Sequence, residues 1–189
     1  MSEQLLEPLL RRMRMRQVLP YINKYPGCHL LDIGCGWQAR LLHAVEPKIA
    51  YGVGIDFKAP DIETNTLKTI SARMDVSLPF EDSSFDLITM LAVLEHLDHP
   101  KAILQECARV LRPGGGLFLT VPSWHAKPVL EFLAFKVGIV NPDEIRDHKQ
   151  YFNREDLFKI FNSIDGLTVK EHAYFQWRFN NRVFVLRDK

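Results

Sequence analysis

The chain has 189 residues, of which 47% are apolar and 25% charged, with a formal net charge of +1. This predicts one soluble globular domain spanning residues 1–189, large enough to bury a real core. So small a charge excludes a strong general attraction to nucleic acid or to anionic membrane. The cysteines, Cys28, Cys35 and Cys107, are odd in number and form no C-x-x-C pair, which reads as free thiols in a reducing cytoplasm. The sequence shows neither a signal-peptide pattern nor an apolar run of membrane length, so a cytoplasmic location is expected.

From Met1 to about Tyr25 the pattern is helical, with Leu6, Leu9, Leu10 and Met13 on one face and Arg11 and Arg14 away from it. The cluster Arg11, Arg12, Arg14, Arg16 reads as a solvated helix face, with a phosphate-binding patch as the alternative. Pro20 and Pro26-Gly27 are expected to break this pattern before the first strand.

The stretch Cys28-His29-Leu30-Leu31-Asp32-Ile33-Gly34-Cys35-Gly36-Trp37-Gln38-Ala39 then reads as strand and glycine turn, leading into a helix at Leu41, Leu42 and Val45. Open α/β sheets present backbone N–H groups to a ligand at such a turn, and Gly34 and Gly36 allow close approach. The same residues fit a dinucleotide G-x-G-x-x-A pattern, and Asp32 separates the two readings. A carboxylate just before the turn repels a pyrophosphate but attracts an ammonium or a sulfonium. S-adenosylmethionine carries both of those cations and no phosphate, so the local chemistry favours a methyl donor over NAD.

A second strand over Ala50 to Ile55 ends at Asp56, about 20 residues beyond the turn, where a carboxylate suits paired ribose hydroxyls. The link Phe57 to Thr66 has room for about one helical turn where a crossover helix is usual. Leu67 to Met74 reads as a third strand, followed by Asp75, whose carboxylate is placed to accept from an adenine amino group. Phe85 to Met90 reads as a fourth, buried strand, Pro100 to Leu111 as an amphipathic helix stopped by Arg112-Pro113-Gly114-Gly115-Gly116, and Leu117 to Val121 as a fifth strand. The apolar stretch from Trp124 to Val140 reads either as a sheet-covering helix or as a lid or membrane-touching element beside the substrate. Residues 123–150 are the expected substrate-covering region on the second reading. Asn153 is a helix cap, and Leu167 to Phe175 and Arg182 to Leu186 read as an antiparallel strand pair turning near Asn180-Asn181.

Three blocks of residues carry a family likeness: Leu31-Asp32-Ile33-Gly34-Cys35-Gly36; Leu78-Pro79-Phe80 with Phe85-Asp86-Leu87-Ile88; and Leu94-Glu95-His96-Leu97 with Arg109-Val110-Leu111-Arg112-Pro113-Gly114-Gly115. In this order and spacing the chain resembles the class I S-adenosylmethionine-dependent methyltransferases of the type 11 group. The resemblance implies a Rossmann-like α/β fold: a seven-stranded sheet, parallel except for the last strand, with helices on both faces. It further implies S-adenosylmethionine as cofactor, with Asp32, Gly34, Cys35 and Gly36 at its methionine end, Asp56 at the ribose, Asp75 at the adenine and Leu91 beside the reacting end. Two positions depart from the family pattern: Gln38 stands where a third glycine is common, and the short link after Asp56 removes most of a helix that borders the adenine.

The expected reaction is methyl transfer to a small-molecule, lipid-precursor or glycan-precursor acceptor. Met90-Leu91-Ala92-Val93 stands where amine methyltransferases carry an Asn/Asp-Pro-Pro-Tyr/Phe motif, so DNA bases and protein glutamines are disfavoured. Alignment supplies most of the rate in such a displacement, and a base is needed only where the acceptor must lose a proton. His96 and His148 are the candidates for it, since an ordinary imidazole titrates near 6.5. The spacing Glu95-His96-x-x-His99 brings no Cys or Asp to complete a ligand set, so no metal is expected. The competing readings are a methyltransferase-like binding protein or partner subunit without turnover, and an NAD-dependent oxidoreductase.

Overall fold

A computed structural model describes residues 7–74 and 76–189. The elements run α1 (Glu7–Ile22), β1 (His29–Ile33), α2 (Arg40–Val45), β2 (Tyr51–Asp56), β3 (Leu67–Ser71), β4 (Phe85–Leu91), α3 (Pro100–Val110), β5 (Leu111–Pro122), α4 (Ala126–Phe132), α5 (Pro142–Arg146), α6 (Arg154–Phe161), β6 (Leu167–Phe175) and β7 (Asn180–Arg187). The strands form one sheet in the order β3-β2-β1-β4-β5-β7-β6, with β7 antiparallel to both neighbours and the other pairings parallel. The strand order reverses beside β1, so the carboxyl ends of β1, β2, β4 and β5 meet at one edge around the switch point.

Period-two alternation sends neighbouring side chains of β1 to opposite faces. Leu31 and Ile33 join the core against α3 and α6, with Ile103, Leu104, Cys107, Leu157 and Phe161. Leu30 joins the other core, against α1 and α2, with Val18, Ile22, Leu41, Leu42 and Phe118. The helices on both faces that the sequence implied are therefore present. At Gly54 of β2 an added Cβ would lie 2.8 Å from the Cys35 sulfur and 2.9 Å from Leu42 Cδ1, so a bare backbone is what lets α2 close onto the sheet.

Several expectations need correcting. Helix α1 runs through Pro20 to Ile22 instead of ending before it. Tyr21 and Ile22 are buried, and the Tyr21 ring packs 4.7 Å from both Phe118 and Phe184, which holds the last turn against the missing N–H. For the same reason the buried face of α1 is its second half. Leu9 is 54% exposed, and Leu6 lies outside the described residues. Strand β3 stops at Ser71, and the link before it folds back along its outer edge, with no helical turn. Strand β5 begins at Leu111, earlier than its apolar run, because the glycine-rich segment bulges between the pairs Phe85–Leu111 and Leu87–Gly116. The β6–β7 turn occupies Gln176 to Phe179, with Gln176, Trp177 and Arg178 all left-handed.

The stretch after β5 is not a sheet-covering helix. Helix α4 and a wide turn over Leu133–Val137 pack with Val140 and Ile145 into a small separate cluster, leaving Phe132 and Phe135 exposed. Among the described residues no helix is long and apolar enough to cross a membrane. The corrected packing of α1 is testable by urea unfolding. Phe118→Ala should cost about 3–5 kcal/mol, whereas Leu9→Ala should change stability by about 0.5 kcal/mol or less.

Candidate functional site

The parallel register of β1 with β4 sets Asp32 opposite Thr89, with both side chains buried. Thr89 Oγ1 donates to Asp32 Oδ1 at 2.7 Å. Burial pushes the Asp32 carboxyl up to about 7. The Thr89 bond opposes that rise, and the nearby Asp56 charge adds to it. Asp32 is thus a dry carboxylate that a bound cation would stabilise. Thr89 escaped the sequence reading, although a hydroxyl inside an otherwise apolar strand was a signal available there.

The glycine turn follows directly. Gly34 has φ +76°, and any Cβ there would run into Val93 from the turn after β4, so glycine is required on both counts. Gly36 has φ +69° and open space where its Cβ would be, as a ligand cradle demands. The turn does not offer its first amides to a ligand, as had been expected. Gly34 N–H donates to Ile55 O at 2.8 Å, Cys35 N–H to the same oxygen at 3.4 Å, and Gly36 N–H to Asp56 Oδ2 at 3.0 Å. A pyrophosphate would need those groups free, so the dinucleotide reading loses its main support. Cys35 is buried, and burial followed by the charges of Asp32 and Asp56 raises its pKa, so it is a neutral wall.

Asp56 also receives Lys58 N–H at 2.8 Å on Oδ1. A carboxylate has about four lone-pair sites, so two remain for a ligand. Leu91 is half-buried at the end of β4, and Ala92 beyond it takes a left-handed φ of 58°, its N–H donating to Thr120 O. These residues share the carboxyl edge with Asp32, the glycine turn and Asp56. Asp75 lies outside the described residues.

Beyond Leu91 the turn Leu94–His96 meets the segment after α5, where Lys149 N–H and Gln150 N–H donate to Glu95 O at 2.9 and 3.4 Å. This brings the two candidate histidines together, with ring centres 4.7 Å apart and nearly perpendicular. His96 Nδ1 is 3.0 Å from Asp147 Oδ2, and His148 Nδ1 is 3.2 Å from the Tyr151 hydroxyl. His148 is pushed down to about 4, by burial first and then by the charges of His96 and Arg14, with Asp147 opposing. Glu95 is 1% exposed, its Oε2 meets no hydrogen-bond donor among the described residues, and burial raises its pKa. Arg14 of α1, read as a solvated-face arginine, has its Nε buried, and its charge acts on both Glu95 and His148. Ligating atoms of Glu95, His96 and His148 lie within 4.8 Å of one another, so the missing third ligand arrives from a distant segment, and His99 has no part in the group. Neither Asp147 nor Tyr151 was legible as a site residue, since both reach the histidines through tertiary folding.

A cleft of about 330 Å³ opens beside His148 and Tyr151, walled by Trp124, Lys127, Phe135 and Ile145. Phe132 does not line it.

A seven-stranded sheet reversing at β1, with a buried acid and a glycine turn at its carboxyl edge, is the architecture of class I S-adenosylmethionine-dependent methyltransferases. Residues 31–119 match the family model described as a methyltransferase domain, which supports a class I methyltransferase of the type 11 group. It is 26% identical over 179 residues to the ubiquinone biosynthesis O-methyltransferase of Vibrio cholerae, covering 89% of this chain and 71% of that protein. The enzyme of the same name from Idiomarina loihiensis is 25% identical over 175 residues, covering 86% and 70%. Among solved structures, the complex of the Haloferax volcanii Trm112 methyltransferase activator with a methyltransferase matches with a TM-score of 0.70 at 16% identity, covering both chains completely. The Burkholderia thailandensis 1,6-didemethyltoxoflavin-N1-methyltransferase, solved with S-adenosylhomocysteine, matches with a TM-score of 0.70 at 13% identity, covering 97% of this chain and 82% of that one.

The cofactor is S-adenosylmethionine. The edge described above gathers a dry carboxylate, an open glycine and an acid with lone-pair sites to spare. The raised pKa of Asp32 gives a signed prediction. Between about pH 4 and about pH 7 the folded protein holds this proton and the unfolded chain does not, so the Asp32 contribution to stability falls as pH rises through that window, while His148, held near 4, contributes with the opposite sign. The difference in urea unfolding free energy between wild type and Asp32→Asn should therefore fall with pH across that window. Calorimetry should show the affinity for S-adenosylhomocysteine, which carries the ammonium, rising with pH up to about 7.

Proposed function

We propose that the protein methylates a hydroxyl group of a small organic molecule, with His96 as the general base. The observation that carries this reading is the imidazole pair beside a partly aromatic cleft, at the edge where Leu91 ends β4. The O-methyltransferase relatives support a hydroxyl acceptor. The cleft volume suits a compact ring system, and exposed Trp124 and Phe135 suit an acceptor with an apolar extension, as in a lipid precursor.

S-adenosylmethionine, when bound, supplies a methyl carbon that bonds to the acceptor oxygen as the C–S bond breaks and its electron pair stays on sulfur, while the hydroxyl proton must leave. On this reading Asp32 holds the ammonium, Gly34, Cys35 and Gly36 shape the space beside it, Asp56 receives the ribose hydroxyls, Asp75 meets the adenine and Leu91 faces the reacting end. His96 takes the proton. Its side chain is 27% exposed, so the proton has a route to water. His148 is the weaker base because partial burial and neighbouring charges push its pKa down to about 4. Its bond to Tyr151 and its place in the cleft wall suit it to shaping the acceptor pocket.

Titration calorimetry should show binding of S-adenosylmethionine and S-adenosylhomocysteine and none of NADH. Asp56→Ala should weaken the first two by about 1–3 kcal/mol. In a methyl-transfer assay over a panel of phenols and aliphatic alcohols, His96→Ala should lower the rate about 100-fold or more at unchanged donor affinity. Donor binding with no turnover across the panel would favour a binding protein without catalysis.

A further inference from the structure

We propose that Asp147 is a positioning residue that fixes the tautomer of His96, leaving Nε2 as the atom that accepts the acceptor's proton. This rests on the reading of His96 as the base.

The geometry is specific to one tautomer. Asp147 Oδ2 lies 3.0 Å from His96 Nδ1, and an ionised carboxylate only accepts, so the bond forms only when Nδ1 carries the hydrogen. In neutral imidazole that leaves the Nε2 lone pair free. The contact is held from both sides. Two amides of the Asp147 segment, those of Lys149 and Gln150, bond to Glu95 O in the turn that carries His96, and the Lys149 ammonium pairs with Asp98 just beyond that turn. Asp147 therefore sits on a segment clamped to its target, although the two residues are 51 positions apart.

The other charged groups of the cluster do not replace it. Glu95 has a buried oxygen with no hydrogen-bond partner among the described residues, Arg14 approaches from α1, and His148 stands edge-on to the ring, engaged with Tyr151. Once the acceptor's O–H bond has broken and its proton sits on Nε2, both ring nitrogens carry hydrogen and Asp147 faces an imidazolium. The proton then passes to solvent. The Asp147 side chain is 66% exposed, so the pair adds little to folding stability, and its effect belongs to the chemistry.

The test reads the tautomer directly. Long-range ¹H–¹⁵N spectra of ¹⁵N-labelled protein bound to S-adenosylhomocysteine should show His96 protonated on Nδ1 at a pH where the ring is neutral. Asp147→Ala should move hydrogen to Nε2 in a large share of molecules, and Asp147→Glu should restore the wild-type pattern. With an acceptor from the phenol panel, Asp147→Ala should lower kcat about tenfold or more at unchanged donor affinity and unfolding midpoint, with recovery in Asp147→Glu. A wild-type His96 protonated on Nε2, or an unchanged tautomer in Asp147→Ala, would overturn the proposal. A His96→Ala variant of unchanged rate would instead remove His96 as the base, while the tautomer measurement would stand independently.

Discussion

A carboxylate with almost no water around it, at the end of the central strand, is the constraint from which this site is built. Asp32 is 3% exposed and bonded to Thr89, and its charge is costly there until a cation arrives. Burial of that depth requires strands on both sides. β2 and β4 flank β1 in parallel register, and their carboxyl ends bring Asp56 and the turn from Leu91 to Val93 to the same edge. The glycine turn is then pinned from both neighbours, by Ile55 and Asp56 on one side and by Val93 filling the space over Gly34 on the other. Geometry at this edge is therefore a property of three strands at once.

The two halves of the site are made differently. The edge around Asp32 comes from the strand ends and first turns of β1, β2 and β4. The histidine cluster draws on a turn near residue 95, a segment near residue 148 and Arg14 of α1. Strand ends in a close-packed sheet hold their positions tightly, whereas the second group depends on a small satellite cluster and a few hydrogen bonds. Exposed Trp124, Phe132 and Phe135 sit on that less tightly packed side, whereas exposed Trp37 and Phe57 stand beside the glycine turn and the end of β2.

This difference explains what could be read from the sequence. Asp32, Gly34, Gly36 and Asp56 belong to local patterns of strand followed by turn, and a mostly apolar strand such as Phe85 to Met90 is what a parallel sheet covered on both faces calls for. Even the switch to antiparallel pairing was visible in the close succession of the last two strands. The errors fell where tertiary packing overruled a local signal. Pro20 stayed helical because Tyr21 and Ile22 are buried, and Arg14 left the solvated face because its helix leans over Glu95 and His148. The Asp147–His96 contact had no local signature at all, because 51 residues separate its partners.

The same physical effect, burial, acts on the two ends of the site with opposite chemical results. At Asp32 it raises the pKa of an acid, so the charged form would gain most from a ligand that brings its own cation. At His148 it lowers the pKa of a base and keeps the ring neutral, helped by the neighbouring charges of His96 and Arg14. His96, also half-buried, has a carboxylate within hydrogen-bond distance. The two rings therefore differ in partner, one bonded to the Tyr151 hydroxyl and the other to the Asp147 carboxylate, and the environment of the first disfavours its charged form.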